Sequence, residues 1–125
     1  KLVDETRKIF NSPEIKVTAT VVRIPVIGGH SMAVNVKTKK KFNLQKIHDA
    51  LSNTTGVVIK DDNLNFDYPM PINAQNKNEV FVGRIREDHT IENGLNLWIV
   101  ADNLRKGAAT NAVQIAQYMI KNSLV

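Results

Sequence analysis

The sequence has no cysteine. That excludes disulfide staples, thiolate metal ligands and a cysteine nucleophile within these 125 residues. Aromatic side chains make up only 6%, with Trp98 the sole tryptophan, which argues against a base-stacking surface. The three histidines, His30, His48 and His89, are widely spaced and in no ligand pattern, so no metal site is expected. Long apolar runs are missing too. Residues 21–27 are interrupted by Arg23 and Pro25, residues 97–101 are short, and neither stretch could cross a bilayer. There is no secretory leader pattern, no internal repeat, and no glycine-rich phosphate loop behind a strand. These absences describe a soluble protein, expected in the cytoplasm, with no membrane partner.

What is there is ordinary in amount. Hydrophobic residues are 42% and charged residues 23%, close to globular averages, and the length suits one domain with one core. Seventeen Lys and Arg against twelve Asp and Glu leave a net charge of +5. A basic domain invites a nucleic-acid reading, but the positives are dispersed. The one dense patch, Lys37, Lys39, Lys40 and Lys41, reads as a solvated strand end or turn. No nucleic-acid partner is expected.

Residues 1–10 have helical spacing, with Leu2, Val3, Thr6, Ile9 and Phe10 on one side. No side chain precedes this helix to cap it, so further polypeptide is expected upstream. Asn11-Ser12-Pro13 ends it. Residues 15–27 are dense in β-branched side chains of both parities and read as a long strand buried on both faces. Gly28-Gly29 is a turn, and residues 31–39 alternate as a half-buried strand. Asn43 caps a helix over 44–52, and 56–60 is a short strand. Residues 61–77 read as a long irregular loop, then 80–86 and 95–101 as two strands joined by a polar turn. A helix over 104–121, capped by Asp102 or Asn103, closes the chain, with Leu104, Ala108, Ala112, Ile115 and Met119 on one side. This order predicts an α+β fold: one mixed, largely antiparallel sheet with helices over one face. The other face needs a cover, which favours a homodimer through the sheet.

The best local constellation for chemistry is Arg23, Gly28, Gly29 and His30 at a strand end. A guanidinium suits bidentate capture of a carboxylate, and an imidazole behind two flexible glycines can enter a cleft as acid or base. The same residues also describe a plain surface turn. His48, on a helix, and His89, in a turn, read as structural or solvated.

The run VTATVVRIPVIGGHS (17–31) and the block VFVGRIREDHTIENGLNLWIVADNLRKGAATNAVQIAQYMI (80–120) together resemble the C-terminal part of bacterial aspartate-semialdehyde dehydrogenases. The opening KLVDETRKIF is similar to a helix of that family, so the likeness covers the whole chain in order. It implies a catalytic and dimerisation domain of the glyceraldehyde-3-phosphate-dehydrogenase-like type over 1–103. A C-terminal helix over 104–125 would pack on a nucleotide-binding domain that lies outside these residues.

By that resemblance the whole enzyme reduces 4-phospho-L-aspartate with NADPH, through a thioacyl intermediate on a cysteine, to L-aspartate 4-semialdehyde and phosphate. That aldehyde feeds lysine, threonine, methionine and diaminopimelate biosynthesis. In the family motif R-x-P-V-x-x-x-H the arginine binds the substrate carboxylate and the histidine is the general acid/base; these fall on Arg23 and His30. The lysine of the family's E-x-x-K, which holds phosphate, falls on Lys1. Asn111 of KGAATNAV falls on the contact to the nicotinamide end of the cofactor. Val21 stands where many relatives have a cysteine that is not the nucleophile, and Met32 where relatives often carry Glu. The cofactor loop, the nucleophile and the family's phosphate-binding arginine are outside these residues, so the chain alone is expected to be inactive. The alternative is a dimerisation or binding module that kept the fold without the chemistry; the presence of Arg23, His30 and Lys1 argues against it.

Overall fold

Four strands and the hairpin between two of them organise the chain. The computed structural model describes residues 1–125. In order it contains α1 (Leu2–Ile9), β1 (His30–Lys37), α2 (Leu44–Ser52), β2 (Val57–Ile59), α3 (Pro71–Ala74), β3 (Val80–Asp88), β4 (Gly94–Ala101), a π-helical turn (Arg105–Ala109) and α4 (Thr110–Lys121). The sheet order is β1-β4-β3-β2, with β1–β4 and β4–β3 antiparallel and β3–β2 parallel. The mixed, largely antiparallel α+β sheet is therefore present, with four strands where the sequence suggested five.

Local chemistry explains most of the boundaries. Asp4 and Glu5 in the first turn of α1, and Arg7 and Lys8 in its last, complement the helix dipole. Asn43 caps α2 as expected, its Oδ1 accepting from the Lys46 amide at 3.1 Å. The β3–β4 turn closes on Asp88, whose Oδ1 accepts from the amide and the hydroxyl of Thr90. Gly94 begins β4 where a Cβ would stand 2.8 Å from that of Asp88, so only glycine fits the hairpin there.

The core is small: its one packed cluster lies on one face of the sheet, while Val82 and Leu95, also buried, point to the other. Register aligns Val58 with Phe81 and Phe81 with Val100, and antiparallel partners point the same way. Ala74 of α3 completes the cluster, with Trp98 against it. The Trp98 Nε1 donates to the Pro69 carbonyl at 2.8 Å, holding the 69–74 segment over the strands. Gly83 lies under that crossing; a Cβ there would run into the Lys60 carbonyl and stand 2.7 Å from Pro69 Cδ. Immediately beyond, the β3 ladder shifts register between Gly83 and Arg86. Arg84 takes φ +54 in this bulge, and the two Asp61 carboxylate oxygens accept the Arg84 and Ile85 amides at 2.6 and 3.0 Å.

Three expectations are corrected. Residues 15–27 form no strand. Their β-branched composition favours strand geometry, but a ladder needs a neighbour, and within this chain β1 pairs only with β4. At Pro25, which has no amide proton, the Val26 amide turns back to the Ile24 carbonyl at 2.9 Å. Nor is the segment buried on both sides: Val21, Val22 and Ile27 are 78%, 77% and 88% exposed. Second, the loop over 61–77 contains the short helix α3, begun by Pro71 at its first position. Third, the final helix is not uniform. It starts as a π-helical turn, with the Gly107 amide bonded to the Asp102 carbonyl and Ala109 to Leu104, each at 3.1 Å.

Candidate functional site

The end of β4 and the start of β1 lie side by side, and the candidate site is built there. His30, the first residue of β1, pairs with Ala101, the last of β4. Before His30 come two glycines in the left-handed region, Gly28 at φ +79 and Gly29 at φ +85, which side chains with a Cβ rarely adopt. Gly29 is enclosed: a Cβ on it would meet Pro71 at 3.4 Å and the Ala101 carbonyl at 3.6 Å. Its amide donates to Asn103 Oδ1 at 2.8 Å. The turn that presents His30 is thus tied to the strand exit opposite it.

That exit is fixed by Asp102, only 4% exposed. Its Oδ1 accepts the Leu104 and Arg105 amides and its Oδ2 the Asn76 amide, all at 2.8 Å. The Arg105 amide above all, then those of Asn76 and Leu104 and the Arg105 charge, hold the carboxyl below its ordinary value despite burial. Asp102, not Asn103, thus closes the turn that leads into the helical segment, whose own N-cap is Leu104 with no side-chain cap bond. Asn103 is free to turn to Gly29. In sequence the two are interchangeable as caps, because the pairing of β1 with β4 that brings 28–30 to 101–103 has no local signature.

The sequence-predicted residues are spread around this centre. Arg23 is exposed on the irregular segment, and His30 is exposed at the strand start. Lys1 is exposed at the head of α1, its Nζ 3.9 Å from Glu5. Asn111 is half-buried in the first turn of α4. No hydrogen bond or ion pair joins any two of the four. His48 sits on α2 facing the Ser52 hydroxyl at 3.5 Å, and His89 is exposed in the hairpin near Glu87. No group of three or more His, Asp or Glu side chains is placed to hold a metal ion, and no helix is long and apolar enough to cross a membrane.

Residues 1–106 match the family described as semialdehyde dehydrogenase, dimerisation domain. The chain belongs to that family. The chain is 51% identical over all 125 residues to aspartate-semialdehyde dehydrogenase of Aquifex aeolicus, of which it covers 37%. It is 45% identical over 126 aligned residues to the enzyme of the same name from Bacillus subtilis, covering 36% of it. Among solved structures, aspartate semialdehyde dehydrogenase II from Vibrio cholerae, described as complexed with ASA, superposes with a TM-score of 0.89 at 45% identity. That likeness covers 96% of this chain and 35% of the other. The Francisella tularensis enzyme gives a TM-score of 0.73 at 25% identity over 94% of the chain. The domain thus spans a little over a third of the relatives it matches.

Proposed function

We infer that the domain is the C-terminal portion of an aspartate-semialdehyde dehydrogenase, and that it contributes an acid/base group and a substrate clamp to a site completed by polypeptide before it. The observation that carries this is 51% identity running the whole length of the chain to an enzyme of that name. Residues 1–103 are the catalytic and dimerisation unit. Residues 104–125 are the helix that docks on a nucleotide-binding domain; none of the α4 side chains is buried within the chain itself.

In this reading His30 takes the proton from the nucleophilic thiol as the C–S bond forms, and gives it to the phosphate as the C–O bond breaks. Its place beyond two glycines in the left-handed region gives the imidazole reach, and the Gly29 amide is bonded to Asn103. Arg23 grips the substrate α-carboxylate with two parallel N–H bonds, and Lys1 meets the phosphate as a point charge. The Asn111 amide, half-buried and with no hydrogen-bond partner in the chain, has a donor and an acceptor to offer a carboxamide. NADPH, when bound, supplies the hydride; Asn111 would hold its nicotinamide end. The protein acts in the cytoplasm, in the biosynthesis of lysine, threonine, methionine and diaminopimelate.

The domain also pairs with a second copy of itself. Only 9 of its 125 residues are buried, and Val21, Val22, Ile27 and Met32 are 78%, 77%, 88% and 48% exposed, more apolar surface than an isolated soluble domain ordinarily leaves open. The direct test is turnover by the full-length protein. With L-aspartate 4-semialdehyde, NADP⁺ and inorganic phosphate it should form NADPH only when phosphate is present, while residues 1–125 alone form none. Absence of phosphate-dependent turnover by the full-length protein would overturn the assignment.

A further inference from the structure

We propose that Asn103 is the positioning residue for His30, acting through the Gly29 amide. The proposal rests on His30 being the acid/base group. The dipeptide before His30 is Gly28-Gly29, both in the left-handed region, and without Cβ atoms it has little stiffness of its own. An imidazole rooted in such a turn is well placed only if the turn has one conformation. The Gly29 amide has one hydrogen-bond acceptor, Asn103 Oδ1 at 2.8 Å, 74 residues away in sequence. Pro71 and the Ala101 carbonyl lie near enough that a Cβ on Gly29 would touch them, but neither gives its amide a partner.

Asn103 can do this because its own backbone is immobilised. Asp102, buried beside it, binds the two amides that follow Asn103 and the Asn76 amide from across the sheet end. Two residues before Asn103, Ala101 pairs with His30 itself. The histidine is therefore held from two directions, by the ladder on its own residue and by Asn103 on the residue before it. Loss of the second leaves the strand paired but its leading turn free. Displacement of an acid/base group by about 1 Å costs rate on the order of a hundredfold with little effect on substrate affinity.

The test is steady-state kinetics of the full-length enzyme carrying Asn103→Ala, Asn103→Asp or His30→Asn, each checked for a wild-type melting temperature. Asn103→Ala removes the acceptor and should lower kcat about 10- to 100-fold with KM for aspartate semialdehyde within about threefold of wild type. Asn103→Asp keeps an oxygen at the same reach and should restore kcat to within about fivefold. Wild-type kcat in Asn103→Ala, with His30→Asn impaired, overturns the positioning role and leaves the acid/base reading standing. So does equal impairment of the Ala and Asp variants. Full activity in His30→Asn overturns the acid/base reading itself, and the proposal with it. If Asn103→Ala does not fold, Asn103→Ser, whose hydroxyl stops short of the Gly29 amide, takes its place under the same criteria.

Discussion

The buried Asp102 carboxylate accepts the Asn76 amide at 2.8 Å, fastening the segment after α3 to the start of the closing helical turn. Together with the Leu104 and Arg105 amides this gives the carboxylate three donors, and it titrates below its ordinary value of 3.8. A carboxyl whose pKa is depressed on folding adds stability that is complete above the unfolded value and fades as the pH falls through the folded one. Asp102→Asn should therefore lower the Tm by several degrees at neutral pH. The gap to wild type should narrow as the pH falls below about 3.8. Thermal melts across that range check both points; a gap that stays constant with pH contradicts the role given to the charge.

Gly83 tests the crossing of the 69–74 segment over the sheet. A methyl group there meets the Lys60 carbonyl and Pro69 Cδ, both on backbone or ring atoms that cannot swing aside. Gly83→Ala should cost about 3 kcal/mol or more, at the upper end for overpacking. Urea denaturation followed by circular dichroism measures it, and an unchanged midpoint would show that the crossing yields.

Arg23→Lys probes the proposed substrate clamp. A lysine keeps the charge and loses the paired N–H geometry, so the full-length enzyme should show KM raised about tenfold, the equivalent of about 1.4 kcal/mol, with a smaller change in kcat. Steady-state kinetics with both constants unchanged would remove Arg23 from the site.

Some of this was legible in the sequence, and the reasons for success and failure are physical. Asn43 announced α2 because a cap acts within three residues, and the Asp88–Thr90 turn between β3 and β4 was readable for the same reason. Residues 15–27 misled because β-branching reports a preference for strand geometry and not the presence of a partner strand. The π-helical turn at Arg105–Ala109 carries no periodicity that separates it from an α-helix over five residues. Arg23 and His30 stand out by residue type and by their spacing in the family motif, and their roles are part of the proposal. Asn103 was not, because its acceptor role exists only once β1 has paired with β4.

The exposed apolar residues give a prediction about assembly. Residues 1–125, sedimented at micromolar concentration, should run at twice the 14.0 kDa of the single chain. A single 14.0 kDa species would contradict pairing through this domain alone.

His30 carries the proposed acid/base step. In the full-length enzyme His30→Asn keeps a polar side chain of similar size and removes the titrating imidazole, so kcat should fall by about 10² to 10⁴ with the melting temperature unchanged. A variant that kept near-wild-type kcat would contradict the assignment of the acid/base step to this domain.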